Sequence, residues 1–194
     1  MCVMDSNTNQ IKAVVFDLFE TLITEAGVKQ LSKSDVAERL GVEEEDFHRE
    51  WSARFCGRHR GWYASYADVL VAISRTLGVE PSMRDISSLQ DQRNKIKAMP
   101  YDRIEDTVLK ALHGIRALGL KVGLISNCAS EEVAAWPHSQ LAPLFDVVDF
   151  SCETHHMKPE PEAYLLAAGA SKCRLPKPCS SGMVVRMNSQ AQPV

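Results

Sequence analysis

The chain has 194 residues, 45% of them hydrophobic and 24% charged, with a formal net charge of −3. That length suits one globular domain with a real core and a small additional module. The charge balance excludes a general attraction to nucleic acid or acidic membranes, and no apolar stretch approaches the ~20 residues of a membrane helix. The opening MCVMDSNTNQ lacks a basic start followed by an apolar core, so a soluble, cytoplasmic protein is expected. Its six cysteines form no C-x-x-C pair, and free thiols are expected in place of bridges or a zinc site.

In chain order, AVVF at 13–16 is short and β-branched, and reads as a buried strand ending on Asp17, with Phe19 two positions later. Residues 31–100 carry only helical patterns. VAERLGV comes first, then Phe47, Trp51 and Phe55 at four-residue steps, and then Val69, Leu70, Ile73 and Leu77 behind a Ser65-x-x-Asp68 cap. A last helix from Met83 to Met99 follows Ser82-x-x-Asp85. Within this block RFCGRHRGWYASY reads as a solvated basic loop in preference to one facing a substrate.

TVLKALHGIRALG repeats apolar residues at Val108, Leu112, Ile115 and Leu118, one helical face, with Gly119 suited to the C-cap. LKVGLIS at 120–126 and DVVDFS at 146–151 are strands, separated by a helix with Ser130 as N-cap and Pro137 as its stop. HHMKPEPEAY follows, with His155 and His156 in a solvated loop and Lys158 just before a proline-initiated helix. After Glu162 the chain has no acidic residue, and from 169 it reads as a divergent, disordered tail in which MVV is the only strand candidate.

Strands alternating with helices predict an α/β fold: a Rossmann-like parallel sheet core from residues 11–30 and 101–168, with residues 31–100 inserted as a helical cap. In such a sheet the carboxyl edge collects ligand-binding groups. Asp17, the pair Ser126-Asn127 and Lys158 are then delivered to one rim as a carboxylate, a hydroxyl with an amide, and an ammonium group.

Taken in that order, VVFDLFETL, LISN and KPEPEAY resemble the first three motifs of the haloacid dehalogenase superfamily of hydrolases, most of them phosphatases, over about residues 11–168. The resemblance implies that Asp17 is a nucleophile forming an aspartyl intermediate. Ser126 would hydrogen-bond the transferring group, with Asn127 beside it, and Lys158 would neutralise charge between nucleophile and substrate. It also implies Mg²⁺ held by Asp17 and the Phe19 backbone carbonyl, and a small phosphorylated metabolite as substrate; from the charge balance and the lack of a long apolar stretch, no nucleic-acid or membrane partner is expected. Two departures matter. Phe19 stands where phosphatases carry the aspartate that protonates the leaving oxygen, and Glu20 replaces it only if the loop turns sharply. The acid-free tail supplies none of the fourth-motif aspartates that hold the metal. Phe19 and Tyr164 keep a 2-haloacid dehalogenase open as the alternative, and the missing acids keep open a non-catalytic scaffold or truncated product.

Overall fold

The computed structural model describes residues 11–169 and 183–186. Strands β1 (Ile11–Phe16), β2 (Lys121–Ser126), β3 (Val147–Phe150) and β4 (Met183–Arg186) form one sheet in the order β3-β2-β1-β4. The first three are parallel, with Val14 beside Val122 and Leu124 beside Val148. β4 runs antiparallel to β1, with Val15 opposite Met183. The tail expected to be disordered therefore contributes a strand, and its remaining residues lie outside the described ones. The physical reason is the flank of β1, whose N–H and C=O groups need partners and find them in the MVVR backbone.

Parallel neighbours require long crossovers, and helices supply them. Helix α1 (Lys33–Leu40), α2 (Glu44–Ala53), α3 (Phe55–His59), α4 (Tyr66–Thr76) and α5 (Met83–Ala98) all lie between β1 and β2. They enclose a hydrophobic cluster of their own, including Val36, Phe47, Leu70, Ile73, Ile86 and Leu89. As read from the sequence, Ser65 and Ser82 cap α4 and α5 by accepting from the backbone N–H of Asp68 and Asp85.

A second cluster packs on the sheet around Leu112, Val122, Leu124 and Phe150, with Trp136 edge-on to Phe145 and Phe150 at 5.4 and 5.6 Å. Helix α6 (Asp106–Ala117) covers this side, followed after β2 by α7 (Ser130–Val133), and after β3 by α8 (Ser151–Thr154) and α9 (Pro161–Gly169).

Four local expectations are corrected. Phe55 does not continue α2: the helix stops at Ala53, the Arg54 guanidinium donates to the Glu50 carbonyl at 3.0 Å, and Phe55 is 48% exposed. Leu118 is off the buried face of α6, 76% exposed, because the chain leaves the helix there and Gly119 turns it at φ 75°. Ala129 precedes α7 in place of Ser130, and the Glu132 carboxylate accepts from the Ala129 N–H at 3.0 Å. The basic segment is not solvated throughout. Arg58 and His59 are buried, with the Arg58 guanidinium 3.7 Å from the Trp51 ring centroid, since a flat, weakly hydrated cation stacks on an aromatic face.

β3 carries a buried carboxylate. Asp149, 2% exposed, accepts from the Thr154 hydroxyl at Oδ1, while Oδ2 has no partner among the described residues. Burial pushes its carboxyl up, against the Thr154 hydrogen bond and the His156 charge. A raised acid binds its proton more tightly when folded, so this group favours the fold at acid pH and costs stability as pH rises through the raised value. Replacing Asp149 with Val leaves Thr154 its Phe150 carbonyl acceptor. The expected outcome is a stability gain of about 1 kcal/mol near neutral pH that vanishes at acid pH, read by urea unfolding at both.

Candidate active site

Because β1, β2 and β3 are parallel, their carboxyl ends lie at one edge of the sheet. Asp17 follows the last residue of β1, Ser126 ends β2, and Lys158 arrives beyond β3 through α8. The Lys158 ammonium lies 2.7 Å from Asp17 Oδ2 and donates at 3.0 Å to the Ile125 carbonyl. Its backbone is fixed as well. The Lys158 N–H donates to Asn127 Oδ1 at 2.7 Å, and Asn127 Nδ2 donates to the Lys158 carbonyl at 2.9 Å. One side-chain amide thus pairs with a backbone peptide as a neighbouring strand would. Asp17, Asn127 and Lys158 form a single bonded unit. Ser126 is 1% exposed, and its hydroxyl has no hydrogen-bond partner among the described residues.

The turn after Asp17 is tight. Leu18 donates its N–H to Asp17 Oδ1 at 2.8 Å, and its carbonyl accepts from Leu22 and Ile23. Glu20 sits at φ 54°, which sends its side chain outward, where the carboxylate accepts from the Glu25 N–H and the Thr24 hydroxyl and is held below the ordinary carboxylate range. The sharp turn considered for Glu20 exists, but it carries the carboxylate into these local bonds. Phe19 packs against the sheet cluster, and its carbonyl accepts no backbone hydrogen bond among the described residues.

Residues 11–179 match the haloacid dehalogenase-like hydrolase family. The chain belongs to that family. Among solved structures, a haloacid dehalogenase (HAD) family enzyme from Bacteroides thetaiotaomicron has a TM-score of 0.60 at 18% identity, covering 84% of this chain and 80% of that one. A complex of that enzyme with magnesium and inorganic phosphate has a TM-score of 0.58 at 17% identity, with coverage of 84% and 80%. A predicted HAD-like family hydrolase from Porphyromonas gingivalis has a TM-score of 0.56 at 19% identity, with coverage of 84% and 78%. At these identities the likeness is one of fold. A comparison with curated proteins finds no match.

Magnesium implied by the HAD family fits this rim poorly. It wants octahedral oxygen ligands, usually one or two carboxylates beside substrate phosphate and water. Among the described residues no three His, Cys, Asp or Glu side chains cluster as a metal site. Among the described residues the rim offers one carboxylate, Asp17, and one backbone carbonyl that accepts no backbone hydrogen bond, that of Phe19.

Sequence reasoning missed the seam between the helical insertion and the sheet. Arg60 pairs with Glu160 and donates to the His155 carbonyl at 2.8 Å, and the Ala64 carbonyl accepts from the Ser130 hydroxyl at 3.1 Å. Residues 60–64 thereby touch the loops after β2 and β3 together. On the other side, Lys97 of α5 lies 2.5 Å from Glu25 and 3.1 Å from Glu132, and Arg93 reaches Glu131 and Glu132 at 3.3 Å. Burial alone would push the Glu132 carboxyl up, but Lys97, the Ala129 N–H and Arg93 outweigh it and hold it down. Gly61 was the available signal. At φ 66°, it lies so close to α8 that an added Cβ would sit 1.9 Å from the Cys152 carbonyl oxygen. We expect Gly61→Ala to break this contact at a cost of about 2 kcal/mol or more, with faster amide exchange in residues 60–64 and 151–155 as the measured signature.

Proposed function

We propose that this HAD-family chain is an aspartate-nucleophile hydrolase for a small phosphorylated molecule whose leaving group departs without a proton, such as an acyl or phenolic phosphate. The observation that carries the reading is the Asp17–Lys158 pair at the carboxyl edge, with Phe19 in the acid's position. The Asp17 side chain is 45% exposed and open to approach. Its carboxylate attacks phosphorus; an oxygen–phosphorus bond forms while the bond to the leaving group breaks, and that group keeps the electron pair. Water then cleaves the aspartyl phosphate and returns the carboxylate.

Two anions about 4 Å apart repel by about 4 kcal/mol at an effective dielectric of ~20, and the Lys158 ammonium offsets that repulsion. The Ser126 hydroxyl, without a partner among the described residues, is the polar group assigned to the phosphoryl oxygens, and the Asn127 amide beside it holds the Lys158 backbone in place. Phenylalanine has no proton to give, and Glu20 is occupied elsewhere. A leaving group of low basicity is the one this rim serves. The helices of residues 31–100 act in this reading as the cap over a core of residues 11–30 and 101–168, supported by their separate hydrophobic clusters.

A second reading rests on Phe19 as well. Halide also leaves without a proton, so a 2-haloacid is the alternative substrate class.

The expected outcome for purified protein is slow hydrolysis of p-nitrophenyl phosphate that is lost in Asp17→Asn, with alkyl phosphates untouched. Phe19→Asp supplies the absent acid and is expected to raise alkyl phosphate hydrolysis by about 10²-fold or more. Chloride release from 2-chloropropionate in place of phosphate release transfers the assignment to the second reading. Turnover of neither substrate, in folded protein, removes both.

A further inference from the structure

The mechanism leaves unused a pair of thiols directly beneath the rim. Cys128 follows Asn127, and Cys152 lies in α8; their Sγ atoms are 4.0 Å apart and both are free. β2 and β3 are registered Ile125 to Asp149 and Ser126 to Phe150, so Cys128 and Cys152 stand two residues past the last pair on adjacent chains. The chains stay together there. The Cys128 N–H donates to the Ser151 hydroxyl at 3.0 Å, and that hydroxyl donates to the Cys128 carbonyl at 3.4 Å.

We propose that Cys128 and Cys152 are a modification site, an oxidisable pair that closes to a reversible disulfide and clamps the loops holding Asn127 and Lys158. The oxidant class is a hydroperoxide. Cys152, 9% exposed against 0% for Cys128, is the point of attack. The shared thiol hydrogen bond supports the same polarity, pushing the Cys128 thiol up and the Cys152 thiol down. The Cys152 thiolate attacks one peroxide oxygen; a sulfur–oxygen bond forms, the oxygen–oxygen bond breaks, and the departing oxyanion takes up the proton that the thiol released, leaving as an alcohol, or as water where the oxidant is hydrogen peroxide. Cys128 sulfur then attacks Cys152 sulfur. The disulfide forms, the sulfur–oxygen bond breaks, and hydroxide leaves as water with the Cys128 proton. The two thiols lose two electrons, and the peroxide gains them.

Closure shortens the sulfur separation from 4.0 Å to about 2.0 Å. That movement draws the loop after β2 toward Ser151. Asn127 is the residue adjoining Cys128, and its amide fixes both backbone groups of Lys158, so the shift is felt at the ammonium beside Asp17. The same bond reaches the insertion, because the Cys152 carbonyl lies against Gly61.

The test is peptide mapping of the native full chain after exposure to hydrogen peroxide, with free thiols blocked by iodoacetamide and no reductant. The expected result is a cross-linked peptide joining Cys128 to Cys152 that disappears on adding dithiothreitol, while exposed Cys56 is alkylated in both states. In Cys128→Ala the expected product is a Cys152 sulfenic acid trapped by dimedone. Recovery of both Cys128 and Cys152 as alkylated thiols from the oxidised native protein overturns the proposal, as does a bridge from either one to another cysteine. The mapping depends on neither turnover nor the identity of the substrate.

Discussion

The ammonium group of Lys158 joins the two halves of the rim. It bonds the Asp17 carboxylate after β1 and the Ile125 carbonyl within β2, while Asn127 grips its backbone from the loop between. A partly exposed ion pair of this kind adds about 1 kcal/mol or less to stability, so its importance is geometric. A carboxylate at a strand end is otherwise free to swing into solvent. Here a fixed cation restricts it, and three hydrogen bonds fix the cation in turn. The register of three parallel strands is what brings these groups within reach of one another.

The helical insertion is fastened to the same loops. Arg60 of the insertion grips the segment before Lys158, and Ser130, in the segment after Asn127, donates to the Ala64 carbonyl of the insertion, so residues that present the site also receive the insertion. The charged cluster on α5 and α7 is a different kind of fastening. Lys97 is 6% exposed and has two carboxylates within 3.1 Å. A buried cation left without its partners costs about 3–5 kcal/mol, which makes such a cluster specific to one docking geometry. Arg58 achieves burial differently, by lying flat on Trp51.

Local chemistry was the legible part of the sequence. β-branched runs marked β1, β2 and β3, and the Ser-x-x-Asp pattern marked the starts of α4 and α5, because each signal lies within a few residues of its effect. The rim followed from strand order alone. What escaped depends on contacts distant in sequence. Arg58 and His59 looked solvated because their charge was visible and the Trp51 face was not. Ser130 looked like a cap, yet its hydroxyl serves Ala64, 66 residues earlier. The direction of β4 was also hidden: MVV marks a strand, but nothing in those three residues says that it pairs antiparallel to β1. The thiol pair emerges only once β2 and β3 are in register.

The approach of Gly61 to the Cys152 carbonyl brings two bare backbones together, with no side chain between them. Side chains absorb displacement by changing rotamer; peptide groups in contact do not. The insertion therefore has little room to slide across the sheet at that spot. With Arg93 and Lys97 of α5 also held to Glu131 and Glu132, the insertion is anchored at two places, and a change at either one is resisted by the other.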